Sequence, residues 1–525
     1  MTFKNFFYNK FFIIYFFPFI LGSITFLNFK PYNYSFLGFI IFPSYFYIIN
    51  VVIKNFKSVY RKKNFFKYVF ISSFIFWSSH SLFSVGWVTN SLNYDPQFIS
   101  YIWISKILFA IFFGIFFSIP ILFISKYLDF SFISYLFFSG SIALIDFLKG
   151  KILTGFPWNL WAYSFAESLE FIQITRLIGI YAVNILVISV SGVVLFFFFK
   201  KNKTNWLIFL TTLLLFFSNY IYGNYELNQT NTGQKEFKID QEDVLFKVVN
   251  PSFKINYITD DEELDKVLKY LIRLSSPDTT KRTVFIWPEG VFAGLTFDHL
   301  KKKNEIIKKN FSNKHLIIFG ANTEKIINDD LKIYNSLYVI DHDMKVLHRY
   351  DKEKLVPFGE FLPGENLLSK FGLKKITQGF QNFSSGSERK IFQFNPDLKI
   401  LNLICYELIF PELLQKQKED YNLVINISED AWFEGTIGPY QASAKAIFRA
   451  IEGNSYIIRA ANKGVSQVVD NRGRVLKSLQ PNEAGSIETK VFIENNATKN
   501  KNDLIFFIIL STYLIIFILY KNKKL

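Results

Sequence analysis

The first part of the chain alternates long apolar runs with short polar segments. Each run is about as long as the roughly 20 residues that a helix needs to cross the hydrocarbon core of a bilayer. The first run lacks the small-residue cleavage pattern of a signal peptide and is followed at once by further runs, so we expect it to be retained. The pattern predicts seven membrane-spanning helices, over residues 11–27, 36–52, 68–83, 107–125, 132–148, 181–199 and 207–222.

Beyond the seventh run the periodicity changes. Residues 223–240 are polar, as a linker would be. From 241 to 492, short β-rich runs alternate with polar amphipathic stretches such as 261–275 and 439–453. This alternation predicts a domain in which strands and helices form separate layers.

A second polar segment, 493–503, precedes a last apolar run within 504–525. We therefore predict a multi-span α-helical membrane domain over 1–222, a linker, an α/β domain over 241–492, a second linker and an eighth span at the carboxy terminus.

Lysine and arginine residues determine the expected orientation of these spans. Residues 54–67 hold six basic side chains, and positions 200, 201 and 203 are lysines. Loops rich in Lys and Arg stay on the cytoplasmic side of a membrane. An odd number of spans then exports the α/β domain, and the last span returns the carboxy terminus to the side of the amino terminus.

The composition agrees with a membrane protein. Half of the residues are hydrophobic, 65 are Phe, and the formal charge is +16. No basic face interleaved with aromatic residues is evident, so the charge does not indicate a nucleic-acid partner. The five histidines lack metal-ligand spacing, and no glycine-rich nucleotide loop is present, so we expect neither a metal nor a cofactor.

Three reactive side chains each follow an apolar run and precede a turn: Glu289, Lys352 and Cys405, the only cysteine of the chain. Ligands collect at the carboxyl ends of strands in layered α/β domains. Each residue also has a structural alternative, because Glu289 could cap a helix, Lys352 could be solvated beside Lys354, and Cys405 could be inert packing. Together they form an acyl-transfer site without histidine: a thiol nucleophile, a carboxylate base and an ammonium for the oxyanion.

These residues carry a family resemblance. WPEG, YDKEKLVPFGE and ICYE resemble the Glu-Lys-Cys triad motifs of the nitrilase superfamily, whose fold is an αββα sandwich. With the flanking spans, the whole chain resembles the apolipoprotein N-acyltransferase family, bacterial enzymes that add the third acyl chain to lipoproteins. TGFPWNLWAYS, NISEDAWF and IGPYQ are similar to further segments of that family, with departures at Glu429, Ala442 and Ala162.

The resemblance implies a role for each site residue. Glu289 would be the general base, Lys352 the oxyanion stabiliser and Cys405 the nucleophile. We further expect Glu360 to hold the Lys352 ammonium and Glu407 to receive a substrate ammonium. The supporting residues implied by the resemblance are Asn335, Glu360, Tyr406 and Glu407.

The resemblance also implies partners and a location. The acyl donor would be a phospholipid of the surrounding bilayer, and the acceptor a diacylglyceryl apolipoprotein. The chain would lie in the bacterial inner membrane with both termini cytoplasmic and an exported, periplasmic catalytic domain. Two alternatives remain open from the residues: a membrane-tethered nitrilase-like amidase that acts on a small amide, and a non-catalytic scaffold that binds lipoproteins.

Overall fold

The chain forms two compact units. One comprises residues 1–89, 101–228 and 502–525, and the other comprises residues 90–100 and 229–501. The structure, a computed structural model, describes residues 9–56, 62–94, 96–199, 203–229, 234–239, 242–365, 382–415, 417, 419–494 and 502–523.

The first unit is helical, and its long helices follow the predicted apolar runs in order. Shorter helices, Leu169–Ile172 and Thr175–Ile178, and 3₁₀ segments of three to nine residues connect them. The long helices are Gly38–Phe56, Lys62–Ser84, Ile102–Ser125, Phe132–Lys151, Ile180–Phe199, Lys203–Asn228 and Leu504–Asn522.

The predicted count of eight spans is not confirmed. Among the described residues, six helices are long and apolar enough to cross a membrane, and a pair bent by 46°, Phe65–Ser84 with Gly86–Tyr94, makes seven if it counts as one span. The first predicted span is a shorter apolar helix, Phe12–Asn28. It changes from π-helical to α-helical and then to 3₁₀ turns within that length, which hydropathy does not reveal.

The predicted linker over 223–240 begins inside a helix, because Lys203–Asn228 continues beyond the last apolar residue of the run. Polar residues alone do not end a helix when no breaker intervenes. At Gly223 this helix packs closely against the backbone of Glu170. A Cβ at position 223 would come 1.8 Å from the Glu170 carbonyl oxygen, so only glycine fits there. Residues 230–233 and 240, also assigned to the linker, and 495–501 of the second linker lie outside the described residues.

A buried ion pair joins three parts of the helical unit. Lys149 Nζ lies 3.0 Å from Asp146 Oδ1, and both side chains are buried. Asn184 donates to Asp146 Oδ2 at 3.1 Å and accepts from the amide of Ala162 at 3.3 Å. Charges inside a membrane domain are tolerated when they are paired, so this cluster fixes the 154–164 segment to two helices.

Among the described residues, the second unit contains two large sheets and a separate two-stranded one. The strands are β1 (Gln234–Glu236), β2 (Lys238–Ile239), β3 (Glu242–Asn250), β4 (Arg282–Ile286), β5 (His315–Ile327), β6 (Asp330–Asp341), β7 (Val346–Asp351), β8 (Phe392–Gln393), β9 (Lys399–Ile404), β10 (Leu423–Glu429), β11 (Tyr456–Asn462), β12 (Ser466–Val469), β13 (Val475–Leu479), β14 (Gly485–Thr489) and β15 (Phe492–Glu494). Strand order in the larger of the two large sheets is β14-β3-β4-β5-β6-β7, with β2 beside β3, and in the smaller it is β13-β12-β11-β10-β9-β8, while β1 pairs with β15 alone. β3, β4 and β5 are parallel, as are β9, β10 and β11, while outer strands are antiparallel.

The two sheets pack face to face between helices. Ile286 of the larger sheet and Ile425 of the smaller lie in one fully buried core. Helix Asp261–Ser275 packs on the outer face of the larger sheet, and helix Gly438–Gly453 contacts β11 and β12 of the smaller. This arrangement is the predicted αββα sandwich. The other α-helices among the described residues of this unit are Phe297–Lys301, Asn304–Asn310 and Glu412–Gln415.

Residues 90–100 belong to this sandwich although they lie between two predicted spans in the sequence. The Tyr94 hydroxyl donates to the carbonyl of Ala431, and its ring meets the Trp432 ring edge-on at 5.3 Å. Hydropathy gave no indication of this attachment.

Candidate active site

The three reactive residues predicted from the sequence each follow a strand of the sandwich. Glu289 comes shortly after β4, Lys352 directly after β7, and Cys405 directly after β9. β4 and β7 lie in the larger sheet and β9 in the smaller one. The three reactive residues therefore come from both large sheets.

Lys352 is a buried cation, with only 1% of the residue exposed. Its Nζ donates to Glu360 Oε1 at 2.9 Å and lies 3.5 Å from Glu289 Oε1. Burial by itself would lower the pKa of Lys352, but Glu289 and Glu360 outweigh that effect and raise it above its usual value. The alternative of a solvated Lys352 is wrong, and the expected pairing with Glu360 is present.

Asn335, on β6, joins the two carboxylates. Its Nδ2 donates to Glu289 Oε1 at 2.7 Å and to Glu360 Oε1 at 2.8 Å. The amide of Lys352 in turn donates to the Asn335 carbonyl at 2.8 Å. The second oxygen of each carboxylate accepts from a backbone amide, that of Glu429 at 3.0 Å for Glu289 and that of Val356 at 2.8 Å for Glu360. Both carboxylates are thus fixed in orientation.

Gly320, on β5, allows the backbone of Glu289 to come close. A Cβ at this glycine would lie 3.1 Å from the Glu289 Cα, a distance at which a neighbour has to move. Any side chain larger than hydrogen at position 320 would therefore shift Glu289.

Cys405 has a left-handed backbone, with φ of +50°, at the start of the 3₁₀ turn Cys405–Ile409. Such a conformation is uncommon and strained for a residue with a Cβ, and strained residues of this kind cluster at active sites. Burial raises the pKa of the Cys405 thiol, Glu289 raises it further, and Lys352 acts in the opposite direction. The resting site therefore holds a neutral thiol under the influence of a carboxylate and a cation, an arrangement that a residue used only for packing would not need.

Glu407 is placed differently from what we expected. It is fully buried, and Arg389 Nη2 lies 3.0 Å from its Oε1. Because its charge is already neutralised and it has no exposed surface, the prediction that it receives a substrate ammonium is wrong. Its further donors are the Tyr350 hydroxyl and the backbone amides of Glu353, Lys354 and Ile404.

The contacts of Glu407 instead fix the cysteine turn to the segment after β7. Arg389 and Tyr350 were missed in the sequence, because neither stands in a motif and both reach Glu407 only through the fold. Tyr406, the remaining supporting residue, packs edge-on against Phe410 at 5.0 Å, and burial raises the pKa of its phenol.

Replacing Glu407 by glutamine should destabilise the sandwich. The change leaves the Arg389 guanidinium, whose side chain is 4% exposed, without its buried counter-charge. Breaking a buried pair costs about 3–5 kcal/mol, so we expect the thermal midpoint in detergent, followed by intrinsic fluorescence, to fall by about 6 °C or more. Glu353→Gln is the matched control, since Glu353 approaches the same guanidinium at 3.4 Å but is 39% exposed. Equal losses for both variants would contradict this role.

Two family models match the chain. The Apolipoprotein N-acyltransferase N-terminal domain matches residues 21–193, and Carbon-nitrogen hydrolase matches residues 309–494, a range that contains Lys352 and Cys405 but not Glu289. A protein of Rickettsia prowazekii named apolipoprotein N-acyltransferase is 31% identical over 346 residues, which cover 66% of this chain and 67% of that protein. The chain belongs to the apolipoprotein N-acyltransferase family.

Other members of the apolipoprotein N-acyltransferase family match over different lengths. The one from Bradyrhizobium diazoefficiens is 32% identical over 351 residues, and this chain spans 64% of its length. The one from Rickettsia bellii is 28% identical over 466 residues, 86% of this chain and 89% of that protein. Among solved structures, Saccharomyces cerevisiae Nit3, described as a member of branch 10 of the nitrilase superfamily, is 18% identical; the match covers 49% of this chain and 93% of Nit3 with a TM-score of 0.36.

Proposed function

We propose that this chain is an acyltransferase of lipoprotein maturation. It would move a fatty acyl chain from a membrane phospholipid, through a thioester on Cys405, to the α-amino group of the amino-terminal diacylglyceryl-cysteine of an apolipoprotein. The observation that carries the proposal is the buried Lys352 ammonium between Glu289 and Glu360, within electrostatic reach of the only thiol of the chain. Family membership and the apolar helices support it.

The first half-reaction would acylate the enzyme. Glu289 takes the proton of the Cys405 thiol, and the thiolate attacks the ester carbonyl carbon of the phospholipid. The C–S bond forms, and the negative charge on the carbonyl oxygen is stabilised by the ammonium of Lys352. When the C–O bond breaks, Glu289 returns the proton to the departing oxygen, which leaves a lysophospholipid and a thioester.

The second half-reaction would transfer the acyl group. The free amine of the diacylglyceryl-cysteine attacks the thioester carbon, so that a C–N bond forms and the C–S bond breaks. Glu289 takes a proton from the amine nitrogen and passes it to the Cys405 sulfur, which restores the resting thiol. No step uses a metal or a cofactor.

The membrane helices suit substrates that carry acyl chains. We propose eight spans, with both termini cytoplasmic and the sandwich on the periplasmic side of the bacterial inner membrane. The basic residues of 54–67 and the lysines at 200, 201 and 203 support this orientation. A reporter fused after Leu525 that was active only outside the cytoplasm would contradict it.

A reconstituted transfer reaction tests the proposed function. The purified protein, in mixed micelles with a phospholipid of defined acyl chains, is given a peptide that begins with diacylglyceryl-cysteine. Mass spectrometry should show an N-acylated peptide and one lysophospholipid for each peptide modified. The control omits phospholipid and should give no product.

The same preparation tests the alternative of an amidase. A water-soluble aliphatic amide is offered with and without phospholipid, and ammonia release is measured. Rapid hydrolysis of the amide without phospholipid, together with no acylated peptide, would favour the amidase and contradict acyl transfer.

A further inference from the structure

Glu429 lies beside the base without belonging to the predicted triad. It is the last residue of β10, and 7% of the residue is exposed. Its amide donates to Glu289 Oε2 at 3.0 Å. The carboxyl of Glu429 lies over the backbone of Gly290, the residue that follows Glu289. A Cβ at Gly290 would come 2.3 Å from Glu429 Oε2. Two carboxyl groups therefore share one corner of the site.

Asn462, the last residue of β11, connects Glu429 to a distant loop. Its Nδ2 lies 2.9 Å and 3.0 Å from the two carboxyl oxygens of Glu429. The same amide group donates to the Phe253 carbonyl at 3.0 Å, and its Oδ1 accepts from the Phe253 amide at 2.8 Å. Phe253 belongs to the loop that follows β3, so Glu429 and Asn462 link that loop to Glu289.

The charges around Glu429 disfavour a second carboxylate. Among the described residues no cation pairs with it, because Arg459 lies 2.8 Å from Asp430 and Lys463 lies 2.5 Å from Glu434. Burial raises the pKa of Glu429 well above its usual value, and the Glu289 charge raises it further, against the opposing hydrogen bonds from Asn462 and the Ala431 amide. Burial beside another carboxylate, with no cation to pair with, favours the neutral form of the Glu429 carboxyl.

We propose that Glu429 is a positioning residue that acts as a neutral acid. Its backbone amide orients Glu289, and its protonated carboxyl ties that contact to the loop at Phe253 without placing a second negative charge next to Glu289. The inference rests on the proposed function, in which Glu289 is the base that activates the Cys405 thiol.

A neutral carboxyl at Glu429 is useful because of the charges around Glu289. When Glu289 takes the Cys405 proton, its negative charge passes to the sulfur, and Lys352 is the cation of the group. Another ionised carboxylate at Glu429 would repel the charge of Glu289 and favour protonation of Glu289 in the resting site, where it has to be free to accept the Cys405 proton. A neutral acid keeps the hydrogen bonds of the corner and avoids that repulsion.

Alkylation of Cys405 by iodoacetamide provides the test. As the chain has one cysteine, the mass of the intact, detergent-solubilised protein reports that thiol alone. Rates are measured from pH 6 to 9 for the wild type, Glu429→Ala and Glu429→Gln. Glu434→Gln is the control, because it removes an exposed carboxylate from the same turn.

We expect Glu429→Ala to lower the alkylation rate at pH 7 about tenfold, because the Ala431 amide and Asn462 lose their acceptor and Glu289 is less well held. Glu429→Gln, which is neutral and similar in shape, should restore most of that loss without shifting the pH profile. Wild-type rates for Glu429→Ala would overturn the positioning role. If the pH profile of the alkylation rate is shifted to lower pH by about one unit in Glu429→Gln, the substitution has removed a negative charge. Glu429 would then be ionised in the wild type, and this result would overturn the neutral acid.

Glu429→Gln keeps the inference testable even if Glu429→Ala fails to fold. Failure of the proposed function is visible separately, because alkylation needs no lipid. If the wild type forms no thioester with phospholipid while the alkylation rates follow the expected order, the acyltransferase proposal fails and the role of Glu429 in activating the thiol remains.

Discussion

Replacing Cys405 by serine is expected to abolish the proposed acyl transfer. Serine has nearly the same shape and fits the same left-handed backbone, so the turn Cys405–Ile409 should be retained. Its hydroxyl is far less acidic than a thiol, and Glu289 cannot generate a comparable nucleophile from it. We expect transfer to fall by about 10⁴-fold or more, as when other covalent enzymes lose their nucleophile.

The measurement is intact-protein mass spectrometry after incubation with phospholipid, before and after neutral hydroxylamine. The wild type should gain the mass of one fatty acyl group, and hydroxylamine should remove it because it cleaves thioesters. Cys405→Ser should show no labile increment. A labile increment on the variant would place the acyl group elsewhere and contradict the proposed role of Cys405.

Replacing Lys352 by methionine is expected to have the second-largest effect. Methionine keeps the length of the side chain and removes the charge between Glu289 and Glu360. Loss of one oxyanion donor costs about 10²–10³-fold in rate. Removing Lys352 also takes away the cation that, together with a hydrogen bond from Ser428, opposes the rise in the Cys405 pKa. We therefore expect thioester formation to slow by about 10³-fold, together with a lower thermal midpoint because two carboxylates are left facing each other.

Two further variants make this prediction specific. Lys354→Met removes a neighbouring cation that lies over the Phe410 ring at 5.4 Å, and it should leave the rate within about twofold, as expected of a partly exposed charge. Lys352→Arg keeps the charge, but a planar guanidinium does not fit the almost fully buried position, so rescue should be poor. Thioester formation by Lys352→Met at more than a tenth of the wild-type rate would contradict the assignment.

Much of the architecture could be predicted from the sequence, because the features that encode it are local. Long apolar runs predicted the helices from Gly38–Phe56 to Leu504–Asn522, and short β-rich runs predicted the central strands of both sheets. The positions of Glu289, Lys352 and Cys405 after strands were predicted in the same way. These predictions needed only periodicity and the neighbouring residues.

Local patterns failed where an element depends on distant contacts. The helix Lys203–Asn228 runs past its apolar stretch, and residues 90–100 join the sandwich through Tyr94. The apolar segment Phe12–Asn28 changes its helical type along its length. Hydropathy measures how well a segment suits a bilayer or a core, and it contains no information on helical type or on which unit a polar segment contacts.

By itself the sequence determined the order of membrane helices and α/β domain and supplied the reactive residues. The tertiary structure decided which partners those residues have. Glu407 turned out to be held by Arg389 in the core, and Glu429 turned out to lie beside Glu289 although 140 positions separate them in the chain. Whether a carboxylate binds substrate, anchors a turn or remains a neutral acid depends on its burial and on the charges around it, and folding alone brings those together.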